Sequence, residues 1–326
     1  MEKLDQLANR HILIVGDVMI DRYLTGSVTR ISPEAPVPIV RFQQTEDRLG
    51  GAANVALNVQ ALGSIPLLCS VTGKDADGDA FQQLLPALGL TNEGIARSAQ
   101  RATTVKTRIL GNNQQMLRID KEDTDDLSEQ EAGTLLEKIL FLMDKKPVGA
   151  IILQDYNKGV LSSEIIREIL AESKKRGIPV AVDPKKQNFF AYAGVAFFKP
   201  NLKEIRDSVP FQVTPDINSL QYASAFLRTQ LQHEWTMITL SERGLFLDEG
   251  NTKNGEIYPT IPRNIADVSG AGDTVISVAA LGLAAGFSGN NIAILSNLAG
   301  GQVCETPGVV PVDKVLLAKE LASYSG

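Results

Sequence analysis

Asp267-Val268-Ser269-Gly270-Ala271-Gly272-Asp273-Thr274 stands at the head of an alanine-rich run that continues to Gly286. Small residues at Gly270, Ala271 and Gly272 let the backbone approach a ligand closely, and the run behind them is predicted to be helical. The first amides of such a helix have no intrahelical acceptor and sit at the positive end of its dipole. Loop and helix start together make a cradle for a phosphate in transit. Asp273 falls in the first turn. For an isolated aspartate the dipole alone would explain that placement. Beside an anion cradle, where it would repel the ligand, it also reads as a general base aimed at an attacking hydroxyl.

Upstream, Arg10 to Gly16 is an apolar run ending in glycine, the pattern of a buried strand feeding a turn. Gly51 to Gly63 carries apolar residues at helical spacing with a closing glycine. Strands are predicted at Leu67 to Val71, Val148 to Leu153, Val180 to Val182 and Trp235 to Leu240, and helices at Ser162 to Arg176 and Asp216 to Gln232. Strands alternating with helices imply an α/β fold, a central mostly parallel sheet covered by helices on both faces. Two segments break the rhythm. Tyr23 to Gln43 holds Pro33, Pro36 and Pro38 and has no helical period. Ala102 to Ile119 alternates apolar and polar around a Gly111-Asn112-Asn113 turn, which predicts a hairpin. Within a single domain spanning 1–326, residues 22–47 and 101–120 are therefore expected to form an inserted β lid. The acidic stretch Asp120 to Asp126 reads as a solvated loop leading to a helix capped by Ser128.

Composition narrows the function. The 326 residues are 44% hydrophobic and 21% charged, as in an ordinary soluble globule. Thirty-eight acidic residues against 32 basic ones leave a net charge of −6, which argues against a nucleic-acid-binding face. Cys69 and Cys304 have no nearby partner cysteine, so a reducing, cytoplasmic setting is expected. The longest apolar run, Val275 to Phe287, is too short for a bilayer, so no membrane partner is expected. With only His11 and His233, a His-x-Gly-His nucleotidyltransferase motif is excluded. No Gly-x-x-x-x-Gly-Lys-Ser/Thr motif occurs, and no Gly-x-Gly-x-x-Gly follows the first strand, which excludes a P-loop kinase and a dinucleotide-dependent dehydrogenase.

The Asp267–Thr274 segment resembles the C-terminal signature of the ribokinase-like (PfkB) sugar kinases, departing from it at Val278, where the family has Ala or Gly. Gly50-Gly51-Ala52-Ala53-Asn54 resembles the N-terminal one. The resemblance implies a ribokinase-like fold, ATP as co-substrate and Mg2+ as cofactor. It implies catalysis by Asp273 with Gly270, Ala271 and Gly272. It places Gly50, Gly51, Asn54 and Asp21 at the sugar; Asp17 is either a second such carboxylate or a turn residue. Asn201 and Glu204 resemble the family's Asn-x-x-Glu element, which arranges the ATP phosphates and, through water, the metal. Thr239, Ser241 (where the family has glycine) and Gly244 stand in its nucleotide-contacting turn. Asn297 lies on the helix that borders the adenine, or simply on a surface.

Further segments narrow the resemblance to the family's kinases of heptose 7-phosphate: Gly16 to Tyr23, Arg30 to Pro38, Asn113-Gln114-Gln115 and Asp155-Tyr156-x-Lys158-Gly159. Such an enzyme would phosphorylate the anomeric hydroxyl of a sugar phosphate, here as a kinase alone. An acceptor that already bears a phosphate needs cations, and the candidates are Arg108, Arg118, Lys106 and Lys158, each otherwise a solvated charge. The stiff Arg30 to Pro38 segment is expected beside Asp21, selecting the acceptor by shape. A homodimer through the lid is expected from the family and from the lid's exposed edges. Another acceptor sugar, or a non-catalytic sensing homologue, remains the alternative.

Overall fold

The computed structural model describes residues 2–112, 114–250 and 254–324. Asn113, predicted to close the hairpin turn, lies outside the described residues. The strands are β1 (His11–Gly16), β2 (Val18–Ile31), β3 (Pro38–Gly51), β4 (Ile65–Gly73), β5 (Ile95–Ser98), β6 (Val105–Gly111), β7 (Gln114–Lys121), β8 (Val148–Gln154), β9 (Val180–Asp183), β10 (Phe197–Phe198), β11 (Trp235–Thr239), β12 (Leu245–Asp248) and β13 (Glu256–Tyr258). Among the described residues, nine of them make one sheet in the order β13-β12-β11-β10-β9-β8-β1-β4-β5. The run from β11 to β5 is parallel throughout, and β12 and β13 add an antiparallel edge.

The central strands are apolar along their length because both faces are covered. Ile12 and Ile14 point into one core, which they share with the helices Ala52–Ala61, Ala271–Ala285 and Gly289–Val303. Leu13 and Val15 point into the other, against Glu129–Lys145, Ser163–Arg176 and Ile217–Leu231. The helix starts follow local chemistry. Ser128 and Glu131 form a reciprocal capping box, and Ser162 and Asp216 each accept the amide three residues on. Gly177 and Gly286 close their helices in the left-handed conformation. Val278 is buried in the first core, so the departure from the family pattern is absorbed by packing.

The two irregular segments belong to a second sheet, ordered β3-β2-β6-β7. β2 and β3 are antiparallel, β6 runs parallel to β2, and β7 returns along β6 as the expected hairpin. Two expectations are corrected here. The Arg30 to Pro38 segment is the tip of the β2–β3 hairpin, with Ile31 paired to Pro38. At about 3.3 Å per residue it lies roughly 30 Å along β2 from Asp21, so it does not flank Asp21 within one chain. The acidic stretch is not simply solvated. Asp120 lies in β7 and pairs with Lys106 and Arg118, and Glu122 pairs with Lys106 and Lys158.

Candidate functional site

The chain leaves β1 for β4 on one side and later places β8 on the other, so the sheet order reverses at β1. Ligand sites in open α/β sheets lie at the carboxyl ends of strands flanking such a reversal. Here those ends are Gly16 of β1, Gln154 of β8 and Asp183 of β9.

Asp273 is buried above them, 3% exposed. Its Oδ2 accepts from Asn54 Nδ2 at 2.8 Å. Its Oδ1 accepts from the Tyr156 hydroxyl at 2.7 Å and from Gln154 Nε2 at 3.1 Å. Burial pushes the Asp273 carboxyl up to about 7; the bonds from Asn54 and Tyr156 hold it down, and neighbouring Asp183 adds to the rise. A carboxylate poised near neutrality is suited to taking a proton from a hydroxyl.

The glycines around it make room. Gly270 caps the Ala271–Ala285 helix with φ +81°, and a Cβ there would lie 2.8 Å from Asn54 Nδ2. A Cβ on Gly50 would lie 2.0 Å from Asp21 Oδ2. Gly51, with φ +61°, would meet the Asp17 carbonyl oxygen at 2.4 Å. Gly50 and Gly51 thus serve backbone packing against Asp21 and Asp17. Ala271 and Gly272 open the helix, so the first-turn amides aim at the space beside Asp273.

Three candidates are engaged by partners within the chain. Asn54 is fully buried, donating to Asp273 while its Oδ1 accepts from Asn58. Asp17 accepts the backbone amides of Tyr156, Lys158 and Val160 at 2.8 to 3.1 Å. Its carboxylate is engaged by the loop after β8, and burial with Asp155 nearby pushes it up to about 6. Asn297 donates to the carbonyls of Tyr258 and Pro259, tying its helix to the end of β13.

Asp21 is buried and ion-paired with Arg108, whose guanidinium lies 5.4 Å from the centre of the Tyr23 ring. Arg108, Arg118 and Lys106 project from one face of the small sheet, since Arg118 opposes Arg108 and Asp120 opposes Lys106. All four candidate cations already have carboxylate partners: Asp21 for Arg108, Asp120 for Arg118, Asp120 and Glu122 for Lys106, and Glu122 for Lys158.

On the nucleotide side, Asn201 and Glu204 cap the helix Leu202–Arg206 reciprocally. Glu204 is also paired with Lys185, whose Nζ stands 3.8 Å from Asp183 Oδ1. Burial, then Asp183, raises the Glu204 carboxyl. Lys199 is buried and pairs with Asp183 Oδ2 at 3.0 Å. Burial opposes the charge on Asp183, yet Lys199 and Lys185 hold its carboxyl below the ordinary range. Thr239 forms a parallel bridge with Asn201. Ser241 has φ +55°, the conformation that favours the glycine of the family pattern, and a Cβ on Gly244 would lie 2.0 Å from the Tyr258 carbonyl. Among the described residues no three His, Cys, Asp or Glu side chains gather as a metal cage. The carboxylates at this end of the sheet, Asp183 and Glu204, offer the hard oxygen donors that would suit a magnesium ion held chiefly by substrate phosphates and its own waters.

The residues that sequence reasoning left out are Gln154, Tyr156, Asp183, Lys185 and Lys199. Gln154 and Asp183 end parallel strands, and Tyr156 sits inside the Asp155–Gly159 motif. Extending each predicted strand to its carboxyl end would have found Gln154 and Asp183.

A family model described as "pfkB family carbohydrate kinase" matches residues 9–314. The bifunctional protein HldE of Methylobacillus flagellatus is 41% identical over 314 residues, covering 96% of this chain and 63% of the relative. That of Magnetococcus marinus is 40% identical over 307 residues, covering 93% and 62%. The chain thus spans a little under two thirds of these relatives' length. Phosphofructokinase-2 from Escherichia coli superposes with a TM-score of 0.79 at 19% identity, covering 96% of this chain and 98% of that one. Ribokinase of Arabidopsis thaliana, complexed with ribose and ATP, gives 0.72 at 17%, covering 98% and 100%. These likenesses fix a ribokinase-like fold. No described helix is long and apolar enough to cross a membrane.

Proposed function

This chain belongs to the pfkB family of carbohydrate kinases, and we propose that it transfers the γ-phosphoryl group of ATP to the anomeric hydroxyl of D-glycero-β-D-manno-heptose 7-phosphate. The observation that carries the chemistry is the buried Asp273 carboxylate, held by three donors beside the Gly270–Gly272 helix start. Asp273 takes the hydroxyl proton as the oxygen attacks. The first-turn amides stabilise charge on the transferred group, in line with what phosphoryl transfer demands of a protein. Mg2+, when bound, neutralises the ATP phosphates. Glu204 would orient one of its waters, and Lys185 and Lys199, paired with Glu204 and Asp183 at the same end of the sheet, are the cations that would share in holding the phosphates.

Heptose 7-phosphate is favoured as acceptor by the resemblance of the Gly16–Tyr23, Arg30–Pro38 and Asp155–Gly159 segments, and by the similarity to the HldE relatives. Asp21 and Arg108 are the groups that would meet the sugar and its phosphate. Arg108 would exchange Asp21 for the ligand. The small sheet acts as a lid that keeps water from the phosphoryl group.

Homodimerisation through that lid is supported by its outer face, where Phe42, Leu117 and Ile119 are 64%, 54% and 51% exposed. A cytoplasmic setting suits the ATP it would consume. The test is kcat/KM for heptose 7-phosphate, ribose, fructose 6-phosphate and adenosine at saturating ATP and magnesium. Heptose 7-phosphate is expected to lead by at least tenfold, short of the roughly four to five orders of magnitude reached when a bonded hydroxyl is absent. A free pentose or a nucleoside that equals it overturns the acceptor and leaves the family.

A further inference from the structure

Resting on that reading, the geometry assigns a role to Tyr156: we propose that it is a positioning residue, saturating one oxygen of Asp273 so that the other faces the acceptor hydroxyl. An ionised carboxylate offers about four acceptor sites, two per oxygen. Oδ1 of Asp273 takes two donors, Tyr156 and Gln154. Oδ2 takes one, Asn54, and keeps a lone pair free for a substrate proton. The carboxylate is therefore oriented by unequal donor counts on its two oxygens.

Tyr156 itself is held on three sides. Its backbone amide donates to Asp17 Oδ2 at 2.8 Å. The Lys185 ammonium stands 5.4 Å from its ring centre. The loop beyond it is pinned where Gly159, with φ +82°, would drive a Cβ to 1.9 Å from the Asp125 carbonyl oxygen. This also gives Asp17 a purpose: its buried carboxylate gathers the amides of Tyr156, Lys158 and Val160 and so fixes the loop that presents the phenol. A buried tyrosine hydroxyl needs a partner of some kind. Here the partner is the ionisable group of the reaction, at the short distance of a charge-assisted bond.

The groups that face the pair are few. Asp273 also senses Asp183 and Lys199 from β9 and the segment after β10, with burial and Asp183 favouring its neutral form and Lys199 its ionised form. Burial, Asp273, Asp183 and Asp21 all keep the Tyr156 phenol protonated, well above its ordinary range, so it stays a donor at any working pH. Removing that donor weakens the ionised state of Asp273 specifically.

The test is Tyr156→Phe, which deletes one oxygen. It is followed by kcat/KM against pH, using whichever sugar or sugar phosphate the wild-type protein turns over best. The wild type is expected to lose activity below an acid limb near pH 7. A lost charge-assisted bond corresponds to a limb about one to two pH units higher. Tyr156→Phe should then be roughly ten- to a hundredfold slower at pH 6, recover towards wild type by pH 9, and keep its KM for ATP. The melting temperature of the ligand-free protein followed against pH should show the same displacement, without turnover. A loss that is equal at every pH, or no loss, overturns the role of Tyr156 and leaves Asp273 as base. A wild-type profile with no acid limb overturns the base itself.

Discussion

The junction around Asp273 and the cation-bearing face of the small sheet are both rich in charge, yet they are built on opposite terms. At the junction, Asn54, Gln154 and Tyr156 are committed to one carboxylate, and Gly50 and Gly270 leave no space for even a methyl group. On the sheet, Arg108, Lys106 and Lys158 are each neutralised by a carboxylate from another segment and Arg118 by Asp120 of its own strand, and Arg118 and Asp120 stay partly open to water. Pre-organisation belongs to the junction, where charge must meet a developing transition state. On the proposed reading, exchangeable ion pairs belong to the sheet, where the acceptor's phosphate would take the place of a carboxylate with little net change in charge.

The sharpest way to break this contrast is Asp273→Asn. Loss of a general base is expected to cut kcat by about two to four orders of magnitude while ATP still binds, read by steady-state kinetics and nucleotide calorimetry. Near-normal turnover would remove the junction from the chemistry. Next comes Gly50→Ala. Its methyl would meet Asp21 Oδ2 at 2.0 Å, so Asp21 or β3 must move. Overpacking of this kind costs about 1–3 kcal/mol, and the acceptor KM should rise by about tenfold or more. An unchanged acceptor KM would show that Asp21 does not touch the sugar.

Arg108→Ala and Lys158→Ala then divide the sheet. Arg108 leaves a buried Asp21 without its cation, whereas Glu122 keeps Lys106 when Lys158 is lost. Acceptor KM should therefore rise by roughly tenfold or more for Arg108→Ala and only severalfold for Lys158→Ala, with KM for ATP unmoved in both. Equal effects would mean that the phosphate is held elsewhere.

The smallest effect concerns stability. The Asp273 carboxyl lies near 7 in the folded chain against an ordinary 3.8, so the folded state binds its proton more tightly. Its contribution to stability is therefore greatest below about pH 4 and is lost as pH rises through about 7. Asp273→Asn carries no such charge and is expected to melt a few degrees above wild type at pH 8, by the usual scaling of stability to melting temperature. That margin should shrink as pH falls from about 7 and approach zero only below about pH 4, as scanning calorimetry would record.

Legibility followed the same divide. The β1, β8, β9 and β11 strands could be read because burial on both faces makes them continuously apolar. The Ser162 and Asp216 helices announced themselves through local caps. Glycine-rich turns fixed where Asp273 and Asn54 would be. Partners were another matter: nothing local to Asp17 says that its donors are amides 139 to 143 residues away. Nor does Lys158 disclose that Glu122 neutralises it across a loop. Arg30 to Pro38 was misplaced because proline content reports stiffness but not where along a strand the stiff part falls.

Two consecutive amides near the end of the chain carry a consequence for hydrogen exchange. Gly308 N donates to Asp267 Oδ2 at 3.0 Å, and Val309 N lies 3.4 Å from the Tyr23 hydroxyl. One bond ends on the segment that opens the Ala271–Ala285 helix, the other on β2 of the small sheet. Their deuterium uptake is therefore governed by separate openings although they are neighbours in the chain. Val309 will exchange each time the small sheet lifts from the body, and Gly308 each time the helix-start loop loosens. The ratio of the two rates therefore compares the free energies of the two openings, and a substrate that closes one of them slows only its amide.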